Sequence, residues 1–226
     1  MYDFILTDVD DTLLDFGAAE RYALKKTHEI NGISFDAEDF LLYKGINLGL
    51  WEKFESGEMD MDEVRLKRFV LYFKARGINA DAYEFHVRYD EALSEDSTLM
   101  DENAAKTLEF LKSRAKIFAL SNGVERIQIK RLSSAGLIKY FDGLFISEKI
   151  GYRKPEKEFF DYVATHIDGF DKTKALMIGD SVSTDLPAVK FGLKTCMILP
   201  KEKIISSPLS PDFRVEKFSD IIEFFK

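Results

Sequence analysis

Short apolar runs that end in polar clusters recur along the chain. Phe4-Ile5-Leu6 leads into Thr7-Asp8-Val9-Asp10-Asp11-Thr12, and Ile117-Phe118-Ala119-Leu120 leads into Ser121-Asn122-Gly123. Leu144-Phe145-Ile146 ends at Ser147-Glu148, Ala175-Leu176-Met177-Ile178 at Gly179-Asp180-Ser181, and Cys196-Met197-Ile198-Leu199 at Pro200. Runs of this length, closed by turn residues, predict five buried strands. The stretches between them keep helical spacing: Ala104, Ala105, Leu108 and Leu111, then Ile127 to Leu137, Phe159 to Ile167 and Leu186 to Phe191. Strand alternating with helix predicts an α/β fold with a doubly wound parallel sheet. Its polar strand ends share one edge, where ligands bind in such sheets.

One gap is too long for a crossover. About 80 residues between the first two strands read as helices only, over 17–30, 37–55, the stripe Leu66, Phe69, Val70 and Phe73, and 80–95. That predicts two domains: residues 1–14 with 97–226 as the sheet core, and residues 15–96 as a helical insert. Charge separates them. Residues 15–96 carry 11 Lys and Arg against 18 Asp and Glu, most of the net −8 of the 226-residue chain. With pI near 5.1 and no basic stripe, neither a nucleic acid polymer nor an anionic membrane is an expected partner. No apolar run reaches the roughly 18 residues of a membrane span, and Met1 to Leu6 lacks a basic leader pattern. The single cysteine, Cys196, sits inside a predicted strand and is expected to be buried and unpaired. A reducing, cytoplasmic setting is the expectation. No oligomeric state is read from the sequence.

Chemistry gathers at the strand ends. Asp8 and Asp10 stand two apart, so a sharp turn can aim both carboxylates into the crevice. Two such charges repel unless a cation lies between them or one is protonated. A polar turn held by Asx bonds would use the same residues. A calcium loop would not, because Leu13 and Ala19 stand where glycine and glutamate are required. Asp180 and Asp185 add carboxylates at another strand end, although an N-cap alone would explain an aspartate there. Ser121, Asn122 and Gly123 offer a hydroxyl, an amide and backbone N–H groups entering a helix, the elements of an anion site or of a plain cap. Lys154 precedes Pro155, where a helix is expected to start. Taken together, oxygen ligands from Asp8, Asp10 and Asp180 suit Mg²⁺, which takes few carboxylates beside water and phosphate. The Ser121–Gly123 amides, Lys154 and the metal would make a positive pocket for a phosphate dianion.

The order and spacing of Asp8-Val9-Asp10-Asp11-Thr12, Ser121-Asn122, Lys154-Pro155 and Gly179-Asp180-Ser181 through Asp185 resemble the four motifs of the haloacid dehalogenase superfamily, in its phosphatase branch. The resemblance covers the whole chain and implies a Rossmann-like core with an inserted α-helical cap. It implies Asp8 as the nucleophile that forms an aspartyl-phosphate. Asp10 is then the acid that protonates the leaving oxygen and the base that activates water. Thr12 and Ser121 support phosphate with Asn122 and Gly123, and Lys154 is the cation shared by nucleophile and phosphoryl group. Asp180 is implied as a Mg²⁺ ligand, with Asp185 a partner for the lysine or for metal-bound water. Asp11 stands where the family most often has glycine.

The stretch Tyr43 to Trp51, followed by Glu52 to Met59, resembles the cap of bacterial pyrimidine 5′-nucleotidase relatives, which hydrolyse nucleoside monophosphates. There Asn47 is a candidate for hydrogen bonds to base or sugar, and Trp51 for stacking, unless Trp51 packs the cap's own core. The expected partner is therefore a small phosphorylated metabolite. A small sugar-phosphate or phosphoglycolate phosphatase would use the same core. A hydrolytic dehalogenase would not need Asp10, and a phospho-receiver module would not need the helical insert.

Overall fold

The computed structural model describes residues 2–225. The chain divides into two compact units, Met1–Phe16 with Ser97–Lys226, and Gly17–Asp96.

The first unit is built on a six-stranded sheet: β1 (Phe4–Thr7), β2 (Lys116–Ser121), β3 (Gly143–Ile146), β4 (Ala175–Gly179), β5 (Lys194–Ile198) and β6 (Phe213–Val215). Its order is β3-β2-β1-β4-β5-β6, with every pair parallel. Alternate residues serve opposite faces, as the pleat dictates. Ile5, Ile117, Ala119, Leu176 and Ile178 belong to one buried cluster; Phe4, Leu6, Phe118, Leu120, Ala175 and Met177 belong to the other. Between β1 and β2 come α1 (Phe16–Ile30), α2 (Ala37–Glu55), α3 (Met61–Arg76) and α4 (Ala82–Leu93), which make the second unit. Helices α5 (Ala104–Lys112) and α6 (Glu125–Ser134) cover the first cluster through Leu108, Leu111 and Leu132. The four-residue helix α7 (Ser147–Ile150) follows β3, and α8 (Lys157–His166) covers the second cluster through Phe159, Phe160 and Val163. Register aligns Thr7 with Ala119 on one side and with Ile178 on the other, so β1, β2 and β4 run out at one edge. Chain order moves outward from β1 to β3 in one direction and from β4 to β6 in the other. The reversal lies between β1 and β4.

Three local expectations are corrected. The sheet has a sixth strand, β6, whose three residues pair with Cys196 to Ile198 and form no apolar run of their own. Leu186–Phe191 is a 3-10 helix, with Pro187 in its first turn and Gly192 closing it at φ 84°. Helix α8 starts at Lys157 and not at Pro155, because Glu156 closes a turn back onto Arg153 through both backbone and side chain.

The second unit, α1 to α4, is all helical. Starts are written in the sequence. Asp36 with Asp39, and Asp60 with Glu63, form capping boxes, and Asp81 caps α4. Helix α3 ends at Gly77 with φ 66°, a left-handed cap that glycine adopts without strain. Inside, Tyr43, Phe69, Tyr72, Phe85 and Tyr89 are fully buried, and Arg68 pairs with Asp90 beside the rings of Phe69 and Tyr89. No helix among the described residues is long and apolar enough to cross a membrane.

Candidate active site

The edge between β1 and β4 carries the first cluster of chemistry. The Asp8 N–H donates to Ile178 O at 2.8 Å, so the sheet ladder itself fixes where the Asp8 side chain begins. Past it the chain turns sharply: Leu13 and Leu14 both return hydrogen bonds to Val9 O. Asp11 in that turn has φ 55°, the left-handed region that favours glycine. An aspartate tolerates it, and its Oδ1 accepts from the Phe16 N–H at 3.0 Å.

Lys154 joins two strand ends. Its ammonium, almost wholly buried, donates to Asp8 Oδ1 at 2.8 Å and to Asp185 Oδ1 at 2.6 Å. Burial works against that charge, but Asp185 and Asp8 outweigh it and hold the ammonium above its ordinary value. Asn122 fixes the lysine's backbone from both sides. Its Nδ2 donates to Lys154 O and its Oδ1 accepts from Lys154 N–H, each at 2.8 Å. Ser121 Oγ accepts from the Gly123 N–H and from Gln128 Nε2, both at 3.0 Å. Gly123 is needed for this: a Cβ there would lie 2.6 Å from Gln128 Nε2.

Asp180 and Asp185 follow β4. Thr12 donates to Asp180 Oδ1 at 3.3 Å, and Asp185 Oδ2 accepts from the Ser181 N–H at 3.1 Å. Gly179 leaves room for that carboxyl, since a Cβ on it would lie 2.2 Å from Asp185 Oδ2. Asp8, Asp180 and Asp185 each place an oxygen within 4.8 Å of the others. Burial, and then the charges of Asp185 and Asp11, push Asp180 up to about 7. Burial also raises Asp8 well above the carboxylate range, against the pull of Lys154.

Three crowded carboxylates facing one ammonium leave an excess of negative charge, with oxygen donors only. That donor set fits a divalent hard cation such as Mg²⁺. The expected metal set named Asp8, Asp10 and Asp180. In the structure the third carboxylate beside Asp8 and Asp180 is Asp185, because the Asp10 carboxylate is held elsewhere. Gln128 Nε2 donates to its Oδ2 at 2.5 Å, and the fully buried Arg131 guanidinium forms a close ion pair with its Oδ1. Neither α6 residue was singled out from the sequence. The signal was present: Gln128 and Arg131 lie on the same inward stripe as Ile127 and Leu132.

Asn47 and Trp51 lie one turn apart on α2, in the helical unit. Asn47 Nδ2 donates to Glu20 Oε1 at 2.6 Å. Trp51 packs against the cluster of Leu50, Phe54 and Val64, its ring edge-on to Phe54 at 5.4 Å. Asn47 Oδ1 and Trp51 Nε1 are buried without a hydrogen-bond partner.

The haloacid dehalogenase-like hydrolase model matches residues 2–191. The HAD-hydrolase YfnB of Bacillus subtilis is 37% identical over 97% of this chain and 94% of its own length. The pyrimidine 5′-nucleotidases PynA of Streptococcus pneumoniae and YjjG of Escherichia coli are 32% and 29% identical. They align with 98% and 97% of this chain, and with 94% and 96% of their own lengths. A crystal structure of YfnB bound to magnesium superposes with TM-score 0.93 at 35% identity, over 100% of this chain and 99% of that one.

Proposed function

The chain belongs to the haloacid dehalogenase-like hydrolases, and we propose that it is a Mg²⁺-dependent phosphatase acting through an aspartyl-phosphate, with nucleoside 5′-monophosphates as substrates. One observation carries the chemistry: a buried ammonium bridges Asp8 and Asp185 beside Asp180, at the carboxyl end of the central strand. Asp8 is nucleophile and Lys154 its charge partner. Asp8 and Asp180 would hold the Mg²⁺, with Asp185 orienting Lys154. The magnesium-bound relative supports that choice of ion. When bound, the ion neutralises charge on the carboxylates and on the phosphoryl oxygens.

The protein groups account for the rest. A carboxylate is a weak nucleophile, so positioning and charge neutralisation supply most of the acceleration in a loose phosphoryl transfer. In the first half, Asp8 Oδ bonds to phosphorus as the bond to the leaving oxygen breaks, and Asp10 gives that oxygen a proton. In the second, water attacks the same phosphorus, Asp10 takes its proton, and the Asp8–phosphorus bond breaks to release phosphate. Ser121 is assigned to the phosphoryl oxygens through its hydroxyl hydrogen, since its oxygen already accepts from the Gly123 N–H, which was expected at the phosphate, and from Gln128. Asn122 serves through Lys154, since both ends of its amide hold that residue's backbone.

The nucleotide assignment rests on the two nucleotidases aligned over nearly the whole chain; Trp51, which packs on Leu50, Phe54 and Val64, is not counted toward it. Solved haloacid dehalogenases match at 17–21% identity and share the fold; Asp10 argues against their chemistry here. The test is initial rates with Mg²⁺ over nucleoside monophosphates, sugar phosphates and phosphoglycolate. Pyrimidine monophosphates should lead, EDTA should abolish turnover and Asp8→Asn should be inactive. Full activity in EDTA would sink the metal-dependent phosphatase. A sugar phosphate as best substrate would sink the nucleotidase.

A further inference from the structure

Asp10 is held by two side chains from one helix. Gln128 and Arg131 stand one turn apart on α6, both buried, and they meet its two carboxylate oxygens separately. Arg131 is also tied down, donating to Asp15 O at 3.3 Å with its guanidinium 5.9 Å from the Phe16 ring. Gln128 bridges outward, because the same Nε2 also donates to Ser121 Oγ. Room for that bridge exists only because residue 123 lacks a side chain. A buried guanidinium without its carboxylate would be left uncompensated, so the pair is mutually fixed.

We propose that Arg131 and Gln128 are positioning residues of the reaction: they set the place of the Asp10 carboxyl, and Gln128 ties that place to the Ser121 end of the site. This rests on the phosphatase reading above. Asp10 acts twice, giving a proton to the leaving oxygen and then taking one from water. A good leaving group needs no proton, whereas hydrolysis of the aspartyl-phosphate needs the base with every substrate. Displacing Asp10 therefore changes the shape of the progress curve as well as its slope.

The experiment compares wild type with Arg131→Met, Arg131→Lys and Gln128→Met, on p-nitrophenyl phosphate and on uridine 5′-monophosphate, by rapid quench, beside melting curves. Wild type should turn over both without a burst. Arg131→Met and Gln128→Met should release close to one p-nitrophenolate per enzyme quickly and then turn over slowly. Their steady rate should fall about 10- to 100-fold, part of the roughly 10²- to 10⁴-fold that proton transfer contributes. On the nucleotide they should show no burst, and Arg131→Lys should recover part of the loss. Gln128→Met removes no buried charge, so it keeps the test alive if Arg131→Met does not fold. Equal losses on both substrates with no burst, or unchanged kinetics in folded variants, overturn the positioning role. Failure of wild type on both substrates overturns the phosphatase reading itself, a result the variants cannot mimic.

Discussion

Gly179→Ala tests the geometry of the site without replacing any side chain assigned to the chemistry. A Cβ at this position would lie 2.2 Å from Asp185 Oδ2, 2.4 Å from its Cγ and 2.7 Å from its Cβ. Carbon and oxygen at rest sit near 3.5 Å, so the Asp185 carboxyl must retreat by about 1 Å or more. It has nowhere cheap to go. Asp185 is almost wholly buried, with one oxygen on the Lys154 ammonium and the other on the Ser181 N–H. Hydrogen bonds to charged groups contribute about 1.5–3 kcal/mol each, so weakening both costs on the order of 4 kcal/mol. For a chain of this size that is a fall of roughly 8–16 °C in Tm. Turnover should fall further than stability suggests, because Lys154 shifts with its partner; a 1 Å misplacement can cost about 100-fold. Calorimetry with Mg²⁺-saturated kcat on one phosphate ester gives both numbers. Gly143→Ala is the control: its Cβ would meet only Phe118 ring atoms, at 3.2 and 3.4 Å, and the ring edge can yield. Wild-type melting and turnover in Gly179→Ala would refute the argument that this glycine exists to admit Asp185.

Mg²⁺ should raise Tm, and more at pH 8 than at pH 6. Burial and the charges of Asp185 and Asp11 push Asp180 up to about 7 in the folded chain, so its stabilising contribution is full below about pH 4 and lost as pH rises through 7; at pH 8 the ionised cluster has the most to gain from the cation. At one fixed Mg²⁺ concentration, set to 100 times the pH 8 Kd, the gain is about 2.7 kcal/mol at pH 8 and smaller at pH 6, where the cation binds more weakly; equal shifts at both pH values would contradict it. Gly45→Ala and Gly49→Ala sit mid-helix in α2 with open space around the added methyl, so each should stabilise by about 1 kcal/mol in a urea melt; destabilisation would show a hidden clash. Cys196 is fully buried on β5 and burial raises its thiol to about 12, so a thiol reagent should react only on unfolding; labelling of native protein faster than unfolding would contradict that.

Most of the sheet was legible because its strands are apolar runs that end in polar residues, which is a local signal. Strand β6 was not, and the reason is its partner. Phe213 to Val215 become a strand by pairing with β5, helped by Asp212, which accepts from Lys194 Nζ and from the Thr195 N–H. Nothing within three residues could announce that. The 3-10 helix at Leu186–Phe191 carries apolar spacing that serves either helix type, and Pro187 and Gly192 confine it to six residues.

The site divides in the same way. Asp8 and Asp180 are nameable because each stands at the end of a strand, whereas Lys154 lies in the turn between α7 and α8 and is nameable only through the motif it resembles. Asn122 and Asp10 were read by residue type, and type does not reveal a partner. The amide of Asn122 closes on a backbone 32 residues away, where an anion contact was expected. Asp10 belongs with α6, and the clue lay in a rule applied only to apolar residues. The buried face of α6 runs through Ile127, Gln128, Arg131 and Leu132, a spacing that admits two polar side chains to the interior. Burying an arginine is unfavourable without a carboxylate to meet it. A polar pair on a buried stripe, one element after a glycine that must stay small, is thus itself a sequence signal. It says that an acidic partner waits across the site, and here Asp10 is that partner.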